Sequence, residues 1–116
     1  MSYKKVVFMG TPAFSVPILE AIAKSSYKVS CVYTQASKKS NRGQKLNTSS
    51  VYKCAENLKL IVRNPKKLNT AEEFKFFKKL NPHIVVVVAY GQLIPKIFLD
   101  IPKEGFINIH ASLLPK

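Results

Sequence analysis

The chain is expected to fold as an α/β protein built on a doubly wound, mainly parallel sheet. Three observations predict it. Apolar strand-like runs alternate with segments of helical periodicity along the whole sequence. No two runs are joined by a β-hairpin signal. Ile84-Val-Val-Val-Val88-Ala89 is a long aliphatic run of the kind found at the centre of a sheet covered on both faces.

Each element has its own signal. Lys5-Val-Val-Phe-Met9 is a nearly continuous apolar run, as in a strand buried on both faces, and Gly10 ends it. Pro12 suits a loop or the first turn of the next helix. From Phe14 to Ala23, residues Phe14, Ile18, Ala21 and Ile22 recur at helical spacing, while Glu20 and Lys24 fall elsewhere on the wheel. Val29 to Thr34 reads as a second strand. Residues 35–48 are polar and basic without periodicity, which predicts a long loop. Ser49 or Ser50 can cap a helix running through Val51, Cys54, Ala55 and Leu58. Leu60-Ile-Val62 is a short strand, broken by Asn64-Pro65. Asn69 or Thr70 can start a helix with Ala71, Phe74, Phe77 and Leu80 in one apolar stripe, and Asn81-Pro82 stops it. Residues Ile84 to Ala89 form the central strand, Ile94 to Leu99 allow a helical turn or two, and Phe106 to His110 form the last strand, with Phe106, Ile107 and Ile109 expected to be buried. The sum is a Rossmann-like sheet that ends after its fifth strand.

Composition narrows the class. A length of 116 residues with 47% hydrophobic content fits one domain or part of one. No apolar stretch is long enough to span a bilayer, and the N-terminus enters a strand pattern directly, so a cytoplasmic protein without membrane contact is expected. Cys31 and Cys54 lie far apart with no Cys-x-x-Cys, which argues against a disulfide scaffold or a structural zinc site. The formal charge is +13, from 19 basic residues against six acidic ones. Such a field attracts polyanions and speeds their arrival, although lysine-rich solvated surface also accounts for much of it.

The chemistry concentrates near the C-terminus. In an extended segment, alternate side chains share a face, so Asn108 and His110 should point one way and Ile107 and Ile109 the other. An amide donor and an imidazole then sit together where open α/β sheets place their ligand crevice. One can stabilise a developing oxyanion and the other can move a proton, as acyl transfer to an amine requires. A polar strand end with a hydrogen-bonded histidine is the plainer alternative. The loop Gly10-Thr-Pro-Ala-Phe14 follows the first strand but lacks both glycine-rich phosphate-binding patterns. Lys38-Lys-Ser-Asn-Arg42-Gly-Gln-Lys45 places four cations in a long loop, suited to phosphate contact or to solvation. In Ala89-Tyr90-Gly91-Gln92-Leu93-Ile94-Pro95, exposed backbone could wall a flat heterocycle, with Tyr90 and Leu93 packing inward. His83 is expected at the surface or in a loop, without a catalytic role.

Asn108-Ile-His110-Ala-Ser112-Leu113-Leu114-Pro115 resembles the active-site segment of the folate-dependent formyltransferases. Phe8-Met-Gly10-Thr11-Pro12-Ala-Phe14, followed by Val16-Pro17, is similar to the opening of the members that act on methionyl-tRNA. Thr34-Gln35, Gly43, Ala89-Tyr90-Gly91 and Leu93-Ile94-Pro95 fall in that family's order, and the resemblance runs from Lys5 to Lys116. It implies the formyltransferase fold, 10-formyltetrahydrofolate as formyl donor, methionyl-initiator tRNA as acceptor in translation initiation, and no metal. By the same resemblance, Asn108 and His110 are catalytic, Ser112, Leu113, Leu114 and Pro115 bind folate, and Arg42 grips tRNA. The Gly10–Phe14 loop would border the methionyl-adenosine pocket, and backbone near Gly91 would recognise the pterin.

In the family, this segment continues into a basic loop, further strands, an aspartate that orients the histidine, and a C-terminal tRNA-binding domain. Residues 1–116 are therefore expected to be the N-terminal portion of a catalytic domain, inactive alone, from an enzyme that is monomeric when complete. The family usually continues Thr-Gln with Pro-Asp-Arg, whereas this chain has Ala36-Ser37-Lys38. A formyltransferase acting on a nucleotide or sugar amine, and a non-enzymatic RNA- or anion-binding α/β module, stay open as alternatives.

Overall fold

The structure is a computed structural model that describes residues 3–39 and 46–110, the side chains of 38, 39, 46 and 47 excepted. Its elements run β1 (Lys5–Gly10), a 3-10 turn (Ala13–Ser15), α1 (Val16–Lys24), β2 (Lys28–Tyr33), β3 (Lys38–Lys39), β4 (Leu46–Asn47), α2 (Ser50–Asn57), β5 (Val62–Arg63), α3 (Ala71–Leu80), β6 (Ile84–Val88), α4 (Lys96–Leu99) and β7 (Phe106–Asn108). Five strands pair in the order β5-β2-β1-β6-β7, all parallel, as the strand–helix alternation predicts. The chain winds outward from β1 to β5, then crosses over β1 and winds the other way through β6 to β7. The switch in direction lies between β1 and β6.

Side-chain alternation in the central strands explains why both faces need cover. Val6, Phe8, Val86 and Val88 pack on one face with Leu19 of α1 and with Val51, Cys54 and Ala55 of α2. Val7, Met9, Val85 and Val87 pack on the other with Phe77 of α3 and Phe98 of α4. That second core is aromatic, with the Phe77 ring 4.9 Å from Phe98 and edge-on to Tyr33 at 6.3 Å. Strand β2 needs a correction to its alternation. Val6 pairs with Val29 but Val7 with Cys31, so Ser30 is an extra residue that turns Cys31 and Tyr33 onto the aromatic side.

Helix starts follow the capping signals. Ser49 Oγ accepts from Tyr52 N at 2.9 Å and Thr70 Oγ1 from Glu73 N at 3.1 Å, each satisfying a donor that the first turn cannot. Asn81 ends α3 in the left-handed conformation, with φ 49°. Helix α1 departs from its predicted face. Phe14 is 49% exposed and Ala21 is exposed, while Leu19 is fully buried with Val16, Ile18, Ile22 and Ala23 packed around the same core. The 3-10 turn delays the helix until Val16 and so resets the wheel. In α3, Ala71 is exposed and Glu73 is buried instead, because Arg63 reaches it with paired bonds of 3.0 and 2.8 Å.

Three further expectations change. The polar stretch 35–48 is not wholly loop, since β3 and β4 pair antiparallel by backbone hydrogen bonding that polar side chains do not advertise. The strand expected at residues 60–62 is shifted, with β5 at Val62–Arg63. Ile107, expected to be buried, is 45% exposed, because β7 is an edge strand with β6 as its neighbour. His83 lies where it was expected, beside the start of β6, with a structural task. Its Nδ1 accepts from Lys5 N at 2.9 Å, and its own N–H donates to Lys5 O.

Cys31 and Cys54 are free thiols, both buried. Burial pushes the Cys31 thiol up to about 12, so it stays neutral throughout the physiological range. Only thiolate alkylates at a useful rate. In the folded protein at about pH 8, iodoacetamide should leave Cys31 unmodified until denaturant is added, as read by peptide mass spectrometry. Rapid labelling of Cys31 under native conditions would contradict this burial.

Candidate active site

The candidate site forms where the carboxyl ends of β6 and β7 open beside the switch point, the usual ligand position in such sheets. A hollow of about 450 Å³ is lined by Val87, the segment Ala89 to Ile94, Asn108, Ile109 and His110. Asn108 pairs in register with Val87, and Ile109 N–H donates to Val87 O at 2.8 Å, so β7 stays parallel to β6 up to the site. The sequence-predicted pair Asn108 and His110 is therefore brought to one pocket, and both residues are exposed. Ile109 turns away from them onto the α1–α2 core. Arg42, Ser112, Leu113, Leu114 and Pro115 lie outside the described residues.

Two larger hollows lie elsewhere. One of about 520 Å³ sits beside Tyr27, Lys28, Lys59 and Ile61, at the amino ends of the strands, and one of about 940 Å³ runs along α3. Neither contains a histidine or side-chain amide. Chemistry and topology, rather than size, select the pocket at Asn108. Among the described residues no group of three His, Cys, Asp or Glu comes together as a metal site.

The loop from Ala89 to Ile94 is the pocket's wall, and its backbone is unusual. Ala89 has φ 53° and Gly91 φ 100°, conformations that favour glycine and persist only when surroundings hold them. The Tyr90 side chain anchors one end from below. It is 1% exposed, buried in the aromatic core, and burial pushes its phenol up from the usual range. Leu93 does the opposite of what was expected. It is 94% exposed at the rim of the pocket, because the chain arches off the sheet between Gly91 and Pro95.

A network of polar side chains ties this wall to the neighbouring strand ends. Thr11 Oγ1 donates to Tyr90 O at 2.7 Å and accepts from Gln35 N at 3.2 Å. Gln35 Nε2 donates to Gly91 O at 2.9 Å. Gln92 Nε2 donates to Pro65 O at 3.1 Å, and its Oε1 accepts from Leu68 N at 2.9 Å. Thr34 Oγ1 shares a 2.6 Å bond with the cap hydroxyl of Ser49. Sequence reading gave these residues no such part. Their partners are 15 to 79 positions away, and no local pattern announces a bond of that span.

The family pattern described as formyl transferase matches residues 4–116. The chain belongs to the formyl transferase family. Among its relatives is the methionyl-tRNA formyltransferase of Pelagibacter ubique (strain HTCC1062), 54% identical over 114 residues, which cover 97% of this chain and 37% of that one. The methionyl-tRNA formyltransferase of Clostridium tetani (strain Massachusetts / E88) is 50% identical over 115 residues, covering 97% of this chain and 36% of that one. The chain thus spans little more than a third of the length of these relatives. Among solved structures, phosphoribosylglycinamide formyltransferase from Anaplasma phagocytophilum superposes with a TM-score of 0.66 at 18% identity, covering 100% of this chain and 53% of that one. Glycinamide ribonucleotide transformylase 1 from Geobacillus kaustophilus gives 0.64 at 16% identity, over 99% of this chain and 63% of that one. At such identity these two establish the shared formyltransferase fold, in agreement with the parallel five-stranded sheet.

Gly91 is the most constrained position of the wall. A Cβ there would strike the side-chain amide of Gln35, and the positive φ strains any L side chain. Gly91→Ala should destabilise the protein by about 2 kcal/mol, combining left-handed strain with a weakened hydrogen bond. Urea unfolding checks this, and an unchanged midpoint and slope would show that the loop yields freely.

Proposed function

We propose that this chain is part of a methionyl-tRNA formyltransferase, moving a formyl group from 10-formyltetrahydrofolate to the amino group of methionyl-initiator tRNA. One observation carries the reading: Asn108 and His110 line a single pocket at the carboxyl edge of the sheet in a member of the formyl transferase family. Identity of 45–54% to proteins named methionyl-tRNA formyltransferase favours tRNA over a nucleotide or sugar amine. The nucleotide-acting structures share only the fold.

The pocket suits the donor. Its volume lies in the range of small-molecule sites, Val87 and Ile94 offer apolar wall, and the Gly91 region offers bare peptide groups to the edge of a pterin. The donor supplies the one-carbon formyl unit. The Asn108 carboxamide donates a hydrogen bond to the formyl oxygen and strengthens it as an attacking amine drives negative charge onto that atom. His110 moves the proton from the amine toward the leaving folate nitrogen. Ser112, Leu113, Leu114 and Pro115 complete the folate site, and Arg42 engages tRNA phosphate through its planar fork. On this reading, residues 1–116 are the N-terminal portion of the catalytic domain. The complete enzyme is cytoplasmic and monomeric, with a C-terminal domain that helps to hold tRNA.

In the complete enzyme, Asn108→Ala should lower turnover on the order of a hundredfold to a thousandfold while leaving folate affinity nearly unchanged, because the lost bond matters most at the charged oxygen. Steady-state kinetics with both substrates test this, and near-normal turnover would remove Asn108 from the chemistry. Arg42→Ala should raise the Michaelis constant for methionyl-tRNA, spare folate, and flatten the salt dependence of tRNA binding by about one phosphate contact. A change confined to folate affinity would move Arg42 to the other substrate.

A further inference from the structure

Gln35 leaves β2 and does not line the pocket, yet it is held against the pocket's wall in two independent ways. Its Nε2 donates to Gly91 O at 2.9 Å. Its side chain also fills the space that a Cβ on Gly91 would need. Beside it, Thr11 Oγ1 takes the preceding carbonyl, Tyr90 O, at 2.7 Å and receives the Gln35 N–H at 3.2 Å. Gln92 Nε2 meets Gln35 Oε1 at 3.4 Å, a longer contact that adds little. Two successive carbonyls of the wall are thus held by side chains from the loops that follow β1 and β2.

The consequence follows from peptide geometry. In a trans peptide the C=O and the next N–H point in opposite directions. With the Tyr90 and Gly91 carbonyls turned to Thr11 and Gln35, the N–H groups of Gly91 and Gln92 are turned away from those side chains, and both residues line the pocket. If either plane rotated, the wall would present an acceptor where it had a donor. Positive φ at Ala89 and Gly91 makes such rotation a real alternative unless something opposes it.

We propose that Gln35 is a positioning residue for the donor pocket, fixing the peptide planes around Gly91 so that the wall offers N–H donors to the acceptor atoms of a flat heterocycle. This rests on reading the pocket as the formyl donor's site. The side chain acts from outside the pocket, through one backbone carbonyl.

The test uses the complete protein carrying Gln35→Met, which keeps the bulk and loses the donor, or Gln35→Glu, which sets a carboxylate against the Gly91 carbonyl. At about pH 8, calorimetric titration with tetrahydrofolate should show affinity about tenfold weaker in Gln35→Met, ~1.4 kcal/mol, with the Michaelis constant for methionyl-tRNA within about twofold of wild type. Gln35→Glu should be weaker still at that pH. Relative to wild type it should recover as the pH falls toward 5 or so, where the protonated carboxyl regains an O–H donor; Gln35→Met should not recover. If Gln35→Met failed to fold, the pH response of Gln35→Glu would decide alone. Tetrahydrofolate affinity within about twofold of wild type in the folded variants, or an equal rise in the Michaelis constant for methionyl-tRNA, would overturn the positioning role while the pocket assignment stood. Wild-type protein that bound no tetrahydrofolate would overturn the pocket assignment, and this inference with it.

Discussion

The close approach of β1 to β6 at Gly10 is the constraint on which the rest of this fold depends. A Cβ at Gly10 would lie 2.8 Å from the Phe8 ring, 2.9 Å from Val88 O and 3.2 Å from Ser15 Cβ. No side chain fits there without a shift of backbone. Because the space is empty, the turn after β1 folds across the end of β6, and Ser15 Oγ donates to Val88 O at 2.8 Å in a fully buried setting. The last carbonyl of the central strand is thereby satisfied without water. The loops leaving β1 and β6 emerge side by side.

That adjacency makes a topological feature into a candidate site. Where the winding direction reverses, no helix can lie over the gap, and the loops on either side must supply their own support. Thr11 and Gln35 provide it by hydrogen-bonding the backbone carbonyls of Tyr90 and Gly91. Tyr90 adds an anchor by burying its ring in the aromatic core that Phe77 and Phe98 dominate. The wall is built of backbone and held from behind by side chains. Rigid support of this kind is what a hydrogen-bonding pocket needs, since misplacement of an ångström can remove a directional bond.

Charge adds a different kind of specificity. Of 19 basic residues, only Lys4 and Arg63 form ion pairs among the described residues, with Glu104 and Glu73. The Lys4–Glu104 pair is solvent-exposed. Lys4 holds the Glu104 carboxyl below its usual range, so its stabilising effect is present at neutral pH and fades as pH falls through that lowered value. Its contribution is screened by salt and small. Among the described residues most of the positive charge is outside ion pairs and contributes to a long-range field.

Much of this was legible from residues in order. Period and punctuation marked the central strands, and β5 with a shifted boundary, because a strand buried on two faces is mainly apolar and a helix must repeat near 3.6. Two helix starts were announced by Ser49 or Ser50 and by Asn69 or Thr70, because a cap is a bond between residues three apart, and the structure uses Ser49 and Thr70. Alternation along the last strand put Asn108 and His110 on one face, and both do line the pocket. What stayed hidden was non-local or depended on a rotation. The extra residue at Ser30, the delayed start of α1 and the burial of Glu73 against Arg63 each follow from what lies opposite in space. The support of the pocket wall by Thr11 and Gln35 was equally hidden, since its bonds join residues that only the packed sheet brings together. Sequence by itself determined the parallel α/β class and supplied the candidate groups of the site, because periodicity and residue type are local properties. Tertiary structure alone decided how the pocket wall is held, because that depends on hydrogen bonds between residues 56 and 79 positions apart.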